Sequence, residues 1–291
     1  MNASAQDTEL LRIGPIDAVL TTPAGVDRPP VALLIAGSGP TDHDGNGPGM
    51  RPATLRKLAE QLALRNIASL RYDKRGAGEW KAEYGKPEDF RFKDFAADAV
   101  ALAEYLRNSG KFSDITLIGH SEGGLVAILA AQQTPVDRLV LLATTARRQG
   151  ELIKAQLKGK VPSDMLEAIG KAIDCMMAGQ IVDPLPPGLS IPPPMQPVFA
   201  SAFVEDPIPP LKQIAQPILI VGGGRDLQVA KIDFDDLAAA APAAKTLWIP
   251  NMNHVLNDVG DDADNLAAYN EPERPLDAAL LNAIAAFVRQ R

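Results

Sequence analysis

The stretch "LIGHSEGG", Leu117 to Gly124, sets a serine in a tight glycine frame. The residues on either side decide what that means. "DITLIG", Asp114 to Gly119, has the apolar and β-branched content of a buried strand, and "EGGLVAILAAQQ", Glu122 to Gln133, has the alanine content and apolar spacing of a helix. A GxSxG match occurs often by chance, but it carries weight where a strand runs into it and a helix leaves it. In such a turn a β-carbon at Gly119 or Gly123 would collide with the neighbouring chain. Ser121 would then be held strained and exposed above the sheet, as a nucleophile rather than an incidental turn residue.

Outward from this turn, the chain alternates two patterns. "VALLIAG", "IASLRYD", "ITLIGHS", "RLVLLATT", "PILIVGGG" and "KTLWIPN" are apolar on both faces, which predicts parallel strands buried in a sheet. Between them, Leu55, Leu58 and Leu62, then Val100, Leu102 and Leu106, then Leu280, Ile284 and Phe287 recur at helical spacing and predict helices that cover that sheet. The fold class is therefore α/β, with a mostly parallel, doubly wound sheet. "LLRIGPIDAVLTTP" reads instead as an antiparallel hairpin broken at Gly14-Pro15.

Residues 147–216 leave this rhythm. "SDMLEAIGKAIDCMMAG" is helical, with Ser163 as its expected N-cap, and 11 of the 25 prolines then fall between Asp183 and Pro217. Proline fixes φ and removes N–H donors, so the segment predicts a stiff, irregular cap inserted into a core domain made of residues 1–146 and 217–291. Met176, Met177, Met195, Phe199 and Phe203 interleave with the prolines. They are expected to pack the cap and, as a group, to line an acyl pocket.

Composition excludes several functions. Apolar residues make up 46% and charged residues 22%, as in ordinary globular proteins, and the net charge of −7 offers no basic surface for nucleic acid or an anionic membrane. No run of about 18 apolar residues predicts a membrane span. Cys175 is the single cysteine, so no disulfide or cysteine metal cluster can form within the chain. The first residues, "MNASAQDTELLRIG", lack the pattern of a secretion signal, and a cytoplasmic location is expected.

A serine needs a base, and the base needs an orienting acid. Of the three histidines, His120 adjoins Ser121 and is expected to point elsewhere, while His43 lies in the first glycine-rich loop. His254 follows the last strand, at the carboxyl edge where open α/β sheets bind ligands, and is the base by position and elimination. "PILIVGGGRDLQV" delivers Asp226 into the loop after its strand. Asp233, Asp235 and Asp236 fall on the next helix and are expected on a solvated face. The order Ser121, Asp226, His254 is the one described for hydrolases with this elbow.

"GSGPTDHDGN", "RYDKRGAG", "GHSEGG", "GGRDLQV" and "NMNH", in that order, make nearly the whole chain resemble the α/β-hydrolase superfamily, in particular its capped serine esterase and serine aminopeptidase or lysophospholipase-like branch. The resemblance implies an eight-stranded sheet, a cap between strands six and seven, and cofactor-free chemistry on Ser121, His254 and Asp226. It also implies an oxyanion hole made by the backbone N–H groups of Glu122 and, with Ala36 in the histidine place of an "HGxxP" motif, Ser38. Two departures are His43, where arginine is more usual, and Glu79, where serine is. His43 and His120 stand as candidate substrate contacts. The Glu122 side chain is expected only to start a helix where negative charge is favoured.

"GSGPTDHDGNG" is not a phosphate loop, since it lacks GK followed by Ser or Thr. Asp42, Asp44, Asn46 and Gly47 begin like a calcium loop, but Ala53 stands where the final glutamate is required, so Asx turns are expected there and no metal. Asp73 and Arg75 are expected to pair with each other, and Asp261 to Asp264 to form a solvated loop. The expected partner is a small-molecule carboxylic ester of short to medium acyl length. An aminopeptidase holding an ammonium on Glu151, Glu205 or Asp206, a perhydrolase on the same triad, and a catalytically silent binding module are the rival readings.

Overall fold

The computed structural model describes residues 6–290. The secretion-signal reading rests partly on residues 1–5, which lie outside that range. One eight-stranded sheet runs in the order β1-β2-β4-β3-β5-β6-β7-β8. The first two strands, β1 (Gln6–Ile13) and β2 (Ile16–Pro23), form the expected antiparallel hairpin around Gly14, and β2 pairs antiparallel with β4 (Ala68–Tyr72). From there the sheet is parallel: β3 (Val31–Ile35), β5 (Ile115–His120), β6 (Arg138–Leu142), β7 (Ile218–Gly223) and β8 (Lys245–Ile249). Strand β8 departs from the two-sided burial expected of "KTLWIPN". It is the sheet edge, and Lys245 and Thr246 are exposed.

Helices cover both faces. On one, α1 (Thr54–Ala63) and α10 (Ala278–Val288) bury Leu55, Leu58, Leu62, Leu280 and Ile284 against Leu34, Ile118 and Val140. On the other, α2 (Lys93–Asn108), α3 (Glu122–Ala131) and α8 (Lys231–Ala240) bury Leu102, Leu106, Val126 and Leu237 against Leu33, Leu117 and Leu139. Alternate residues of β3, β5, β6 and β7 thus serve opposite cores, which is why these strands read as apolar throughout.

The chain leaves β3 outward to β4 and then crosses back to β5 on the other side of β3. That reversal opens a crevice at the carboxyl ends of β3 and β5, the place where doubly wound sheets bind ligands. Ile35 pairs with Gly119 at that end, so the loop after β3 and the turn after β5 emerge side by side.

Between β6 and β7 lie α4 (Gln149–Leu157), α5 (Ser163–Met177), α6 (Gln196–Val204) and the short α7 (Ile208–Leu211). Helix α5 begins one residue earlier than expected: Pro162, not Ser163, occupies the cap position. The proline-rich stretch is pinned by Gln196, 1% exposed, whose side chain bonds both the N–H and the carbonyl of Val182 at 2.8 Å. The segment enters through Arg147, whose guanidinium binds Asp233. That aspartate is fully buried and also accepts bonds from Thr145 Oγ1 and Ala146 N, so the expected solvated face of α8 is corrected at this position. The acidic run at 261–264 stays largely exposed, as expected, but starts a helix instead of forming a loop. Asp261 caps α9 (Asp262–Ala267) by accepting from Asp264 N, and Asp264 pairs with Arg274 at 2.6 Å.

Candidate active site

Strand β5 ends at His120, and Ser121 sits at φ 55°, ψ −123°, before α3 begins at Glu122. For a residue with a β-carbon this conformation is strained, and packing holds it there. A β-carbon on Gly119 would lie 2.2 Å from the Gly123 carbonyl oxygen, and one on Gly123 would lie 2.3 Å from that of Ile35. Gly124 contributes a contact the sequence reading missed, since a β-carbon there would meet Thr144 Oγ1 at 2.1 Å. The helix start is thereby pressed between the ends of β3 and β6.

The "GGG" before Asp226 has a similar cause. β-Carbons on Gly223 and Gly224 would stand 2.2 and 2.3 Å from the carbonyl oxygens of Met252 and Pro250, so these glycines let the β8 loop close on the β7 loop. That approach brings His254 Nδ1 to 2.8 Å from Asp226 Oδ2, both side chains being buried. Asp226 Oδ1 accepts from the N–H groups of Gln228 and Val229 at 2.7 and 2.9 Å. Three donors therefore hold one carboxylate, which orients the imidazole and fixes the proton on Nδ1. The turn at Ser121 reaches the same loop through its neighbour His120. His120 Nε2, one residue away, donates to the His254 carbonyl at 2.8 Å, and the two rings stand 5.0 Å apart. No hydrogen bond joins Ser121 Oγ to His254 among the described residues.

The loop after β3 runs against the turn, and a β-carbon on Gly37 would touch that of Ser121 at 3.1 Å. The backbone N–H groups of Ser38 and Glu122 have no acceptor among the described residues. The Glu122 side chain does far more than start a helix. Its carboxylate forms a short ion pair with the buried Lys74 and accepts from Ser38 Oγ at 3.3 Å and Gln149 Nε2 at 2.6 Å.

Beside this network lies a cavity of about 430 Å³. Lys74, Arg75, Glu122, Gln149 and Ser190 are its polar lining, and Trp80, Phe90, Phe95, Met195 and Phe199 lead its apolar lining. Neither Ser121 nor His254 is among its lining residues, so the cavity meets the turn through Glu122 and the Gly39–Pro40 loop. Met195 and Phe199 line this cavity. Met176 and Phe203 do not: both are fully buried in the internal core of the inserted helices with Ile169 and Ile173, and Met177 packs on that cluster. Hydrophobic burial within the insertion claims these three side chains.

The two remaining histidines are corrected likewise. His120 braces the His254 backbone instead of facing the cavity, and burial pushes its pKa down to about 4. His43 Nδ1 and backbone N both bond Asp73 Oδ1 at 2.7 Å, on the side of the β1–β2 hairpin. Asp73 raises the His43 pKa and is itself held low. Asp73 and Arg75 therefore do not pair with each other. Arg75 binds both carboxylate oxygens of Asp98 at 2.6 and 2.7 Å and lies between the rings of Tyr84 and Phe90. In the glycine-rich loop, Asp42 Oδ1 accepts from Asp44 N and Asn46 N, the expected Asx turn. Sequence reasoning missed Lys74 and Gln149 altogether, although Lys74 lies inside the quoted "RYDKRGAG".

A model of the alpha/beta hydrolase family matches residues 32–269. This chain belongs to that family. Among curated proteins, the chain is similar to esterase EstD of Thermotoga maritima, with 27% identity over 247 residues covering 81% of this chain. It spans only 57% of the length of that relative. Among solved structures, this alpha/beta hydrolase superposes on Est1E from Butyrivibrio proteoclasticus, solved with ferulic acid bound, with a TM-score of 0.60, 18% identity, and coverage of 97% of this chain and 96% of the other. It superposes equally on the proline iminopeptidase of Mycobacterium smegmatis, with a TM-score of 0.60, 14% identity and 98% of each chain covered. At these identities the two structures establish the shared fold. Among the described residues, no helix is long and apolar enough to cross a membrane.

Proposed function

We propose that this chain is a serine hydrolase of carboxylic esters with short to medium acyl groups. The observation that carries this reading is the buried Asp226–His254 pair at the same sheet edge as a strained Ser121, whose neighbour His120 bonds the His254 backbone. In the proposed reaction His254 Nε2 takes the Ser121 hydroxyl proton as Oγ bonds to the ester carbonyl carbon. The N–H groups of Ser38 and Glu122 receive the negative charge on the carbonyl oxygen, each contributing about 3 kcal/mol. His254 then gives its proton to the leaving alkoxide, and water, activated by the same nitrogen, releases the acid from Ser121. Asp226 stays ionised and stabilises the imidazolium.

The ester preference is supported by the apolar cavity. Each buried methylene is worth about 0.8 kcal/mol, so an acyl chain gains in a cavity whose lining carboxylate, Glu122, is already paired. Glu122 is occupied by Lys74, Glu151 pairs with Lys154, and Asp206 lies 3.7 Å from Arg148. Similarity to EstD, an esterase, points the same way.

The test is a series of p-nitrophenyl esters of rising chain length run beside aminoacyl anilides, with Ser121→Ala as control. Ester turnover should rise over the first few carbons and vanish in Ser121→Ala, and an organophosphate should label Ser121. Faster cleavage of alanine or proline anilides than of any ester, lost when Glu205 or Asp206 is neutralised, would establish an aminopeptidase instead.

A further inference from the structure

One peptide unit presents the Gly37 carbonyl on one side and the Ser38 N–H on the other. The Gly37 carbonyl accepts a hydrogen bond from Lys74 Nζ at 2.8 Å, and Lys74 is 4% exposed. The same ammonium pairs with Glu122 Oε1 and lies 4.1 Å from the centre of the Phe95 ring. Glu122 Oε2 accepts from Ser38 Oγ and from Gln149, the first residue of α4. Both proposed oxyanion donors, Ser38 and Glu122, therefore belong to residues held by one buried ion pair.

A buried ion pair gives up so much solvation that an apolar pair of the same volume is often as stable, so stability is a poor account of this one. Its placement has a direct electrostatic consequence. In a planar trans peptide the C=O and N–H point in opposite directions. A cation fixed on the Gly37 oxygen therefore sets the direction of the Ser38 N–H and polarises it into a stronger donor. The carboxylate of Glu122, one residue from Ser121, would oppose a growing oxyanion if it stood alone; Lys74 cancels that charge at contact distance.

We propose that Lys74, with Glu122 as its counter-ion, is a positioning residue for the oxyanion hole, holding the Gly37–Ser38 peptide in the orientation that binds the oxyanion. The proposal rests on the Ser121 reading above. Gln149 extends the network into the inserted helices, so the cap segment and the oxyanion loop share one hydrogen-bond network.

The test compares the parent with Lys74→Met/Glu122→Gln, which removes both charges and strands neither. With p-nitrophenyl butyrate, kcat should fall about 10- to 100-fold, part of the effect of deleting an oxyanion donor, while KM changes less than about threefold. An alkyl trifluoromethyl ketone, which forms a tetrahedral oxyanion on the nucleophile, should lose affinity by the same factor as kcat/KM, with Tm near the parent's. Restoring lysine, as Glu122→Gln alone, should recover most of the loss. If the double variant does not fold, Lys74→Gln/Glu122→Gln, which also removes both charges, carries the same expectation. A folded variant with kcat within about twofold of the parent, or with its whole loss in KM, overturns the role of Lys74 and leaves the Ser121 reading standing. A Ser121→Ala variant that still turns over ester or binds the ketone overturns both.

Discussion

Asp226→Asn tests the link between the acid and the base most sharply, because the structure dictates which way the new amide must face. The Asp226 Oδ1 position receives two backbone N–H groups, from Gln228 and Val229 at 2.7 and 2.9 Å. An asparagine turned with its NH2 toward them would leave buried donors facing each other, at about 1–3 kcal/mol for each unsatisfied group, so its oxygen must occupy that position. The amide nitrogen then stands where Oδ2 stood, 2.8 Å from His254 Nδ1, and donates to it. Nδ1 becomes an acceptor, the imidazole proton moves to Nε2, and Nε2 can no longer accept from Ser121. A base locked in the wrong tautomer costs about 10⁴ in kcat, or about 5 kcal/mol of barrier. The two backbone bonds survive, so Tm should fall by only a few degrees. Steady-state hydrolysis of p-nitrophenyl butyrate, with circular dichroism melting on the same samples, measures both. A folded Asp226→Asn enzyme with kcat within about tenfold of the parent would refute the tautomer argument and remove Asp226 from the mechanism.

Phe199→Ala should enlarge the cavity and move the acyl-length optimum upward, gaining about fourfold in kcat/KM for each added methylene it accommodates. Met176→Ala, in the internal core of the inserted helices, should lower stability by about 2–5 kcal/mol and leave that optimum in place; a chain-length series on the two variants checks both. His120 has its pKa depressed to about 4, so between the ordinary histidine range and that value the unfolded chain binds a proton that the folded chain refuses. Stability should therefore fall as pH drops through that window, by about 1–3 kcal/mol, and His120→Asn should flatten this part of the profile in urea titrations at pH 7 and pH 5. Asp233→Ala leaves Arg147 and Thr145 without their buried acceptor, which should cost about 3–5 kcal/mol and expose the start of the inserted segment to limited proteolysis near Arg147 and Arg148.

The turn at Ser121 was legible because its constraint is steric and leaves a glycine signature, even where the excluding atom belongs to β3. Gly119 and Gly123 are required by atoms a few ångströms away, and a strand leading in with a helix leading out leaves few other geometries. The inner strands were legible for a related reason: each is covered on both faces, so burial writes itself into the composition of five or six consecutive residues, whereas the edge strand β8 exposes Lys245 and Thr246. Chain order then brought Asp226 and His254 to the same sheet edge, and their contact needed no further information. Partners across long separations were another matter. Asp73 meets His43 and Arg75 meets Asp98, though Asp73 and Arg75 are near neighbours in sequence, because which loops meet depends on the sheet order. Asp233 is fully buried while Asp235, two residues on, stays in solvent, since only the path of Arg147 decides which carboxylate finds a cation. Met195 and Met176 look alike in sequence, yet one lines the cavity and the other fills a core, because hydrophobicity drives burial without naming the surface against which a side chain is buried. Lys74 and Glu122 show the same limit at the site itself: their types allow a solvated pair anywhere, and only packing of the β3, β4 and β5 loops against one another places that pair on the peptide beside Ser121.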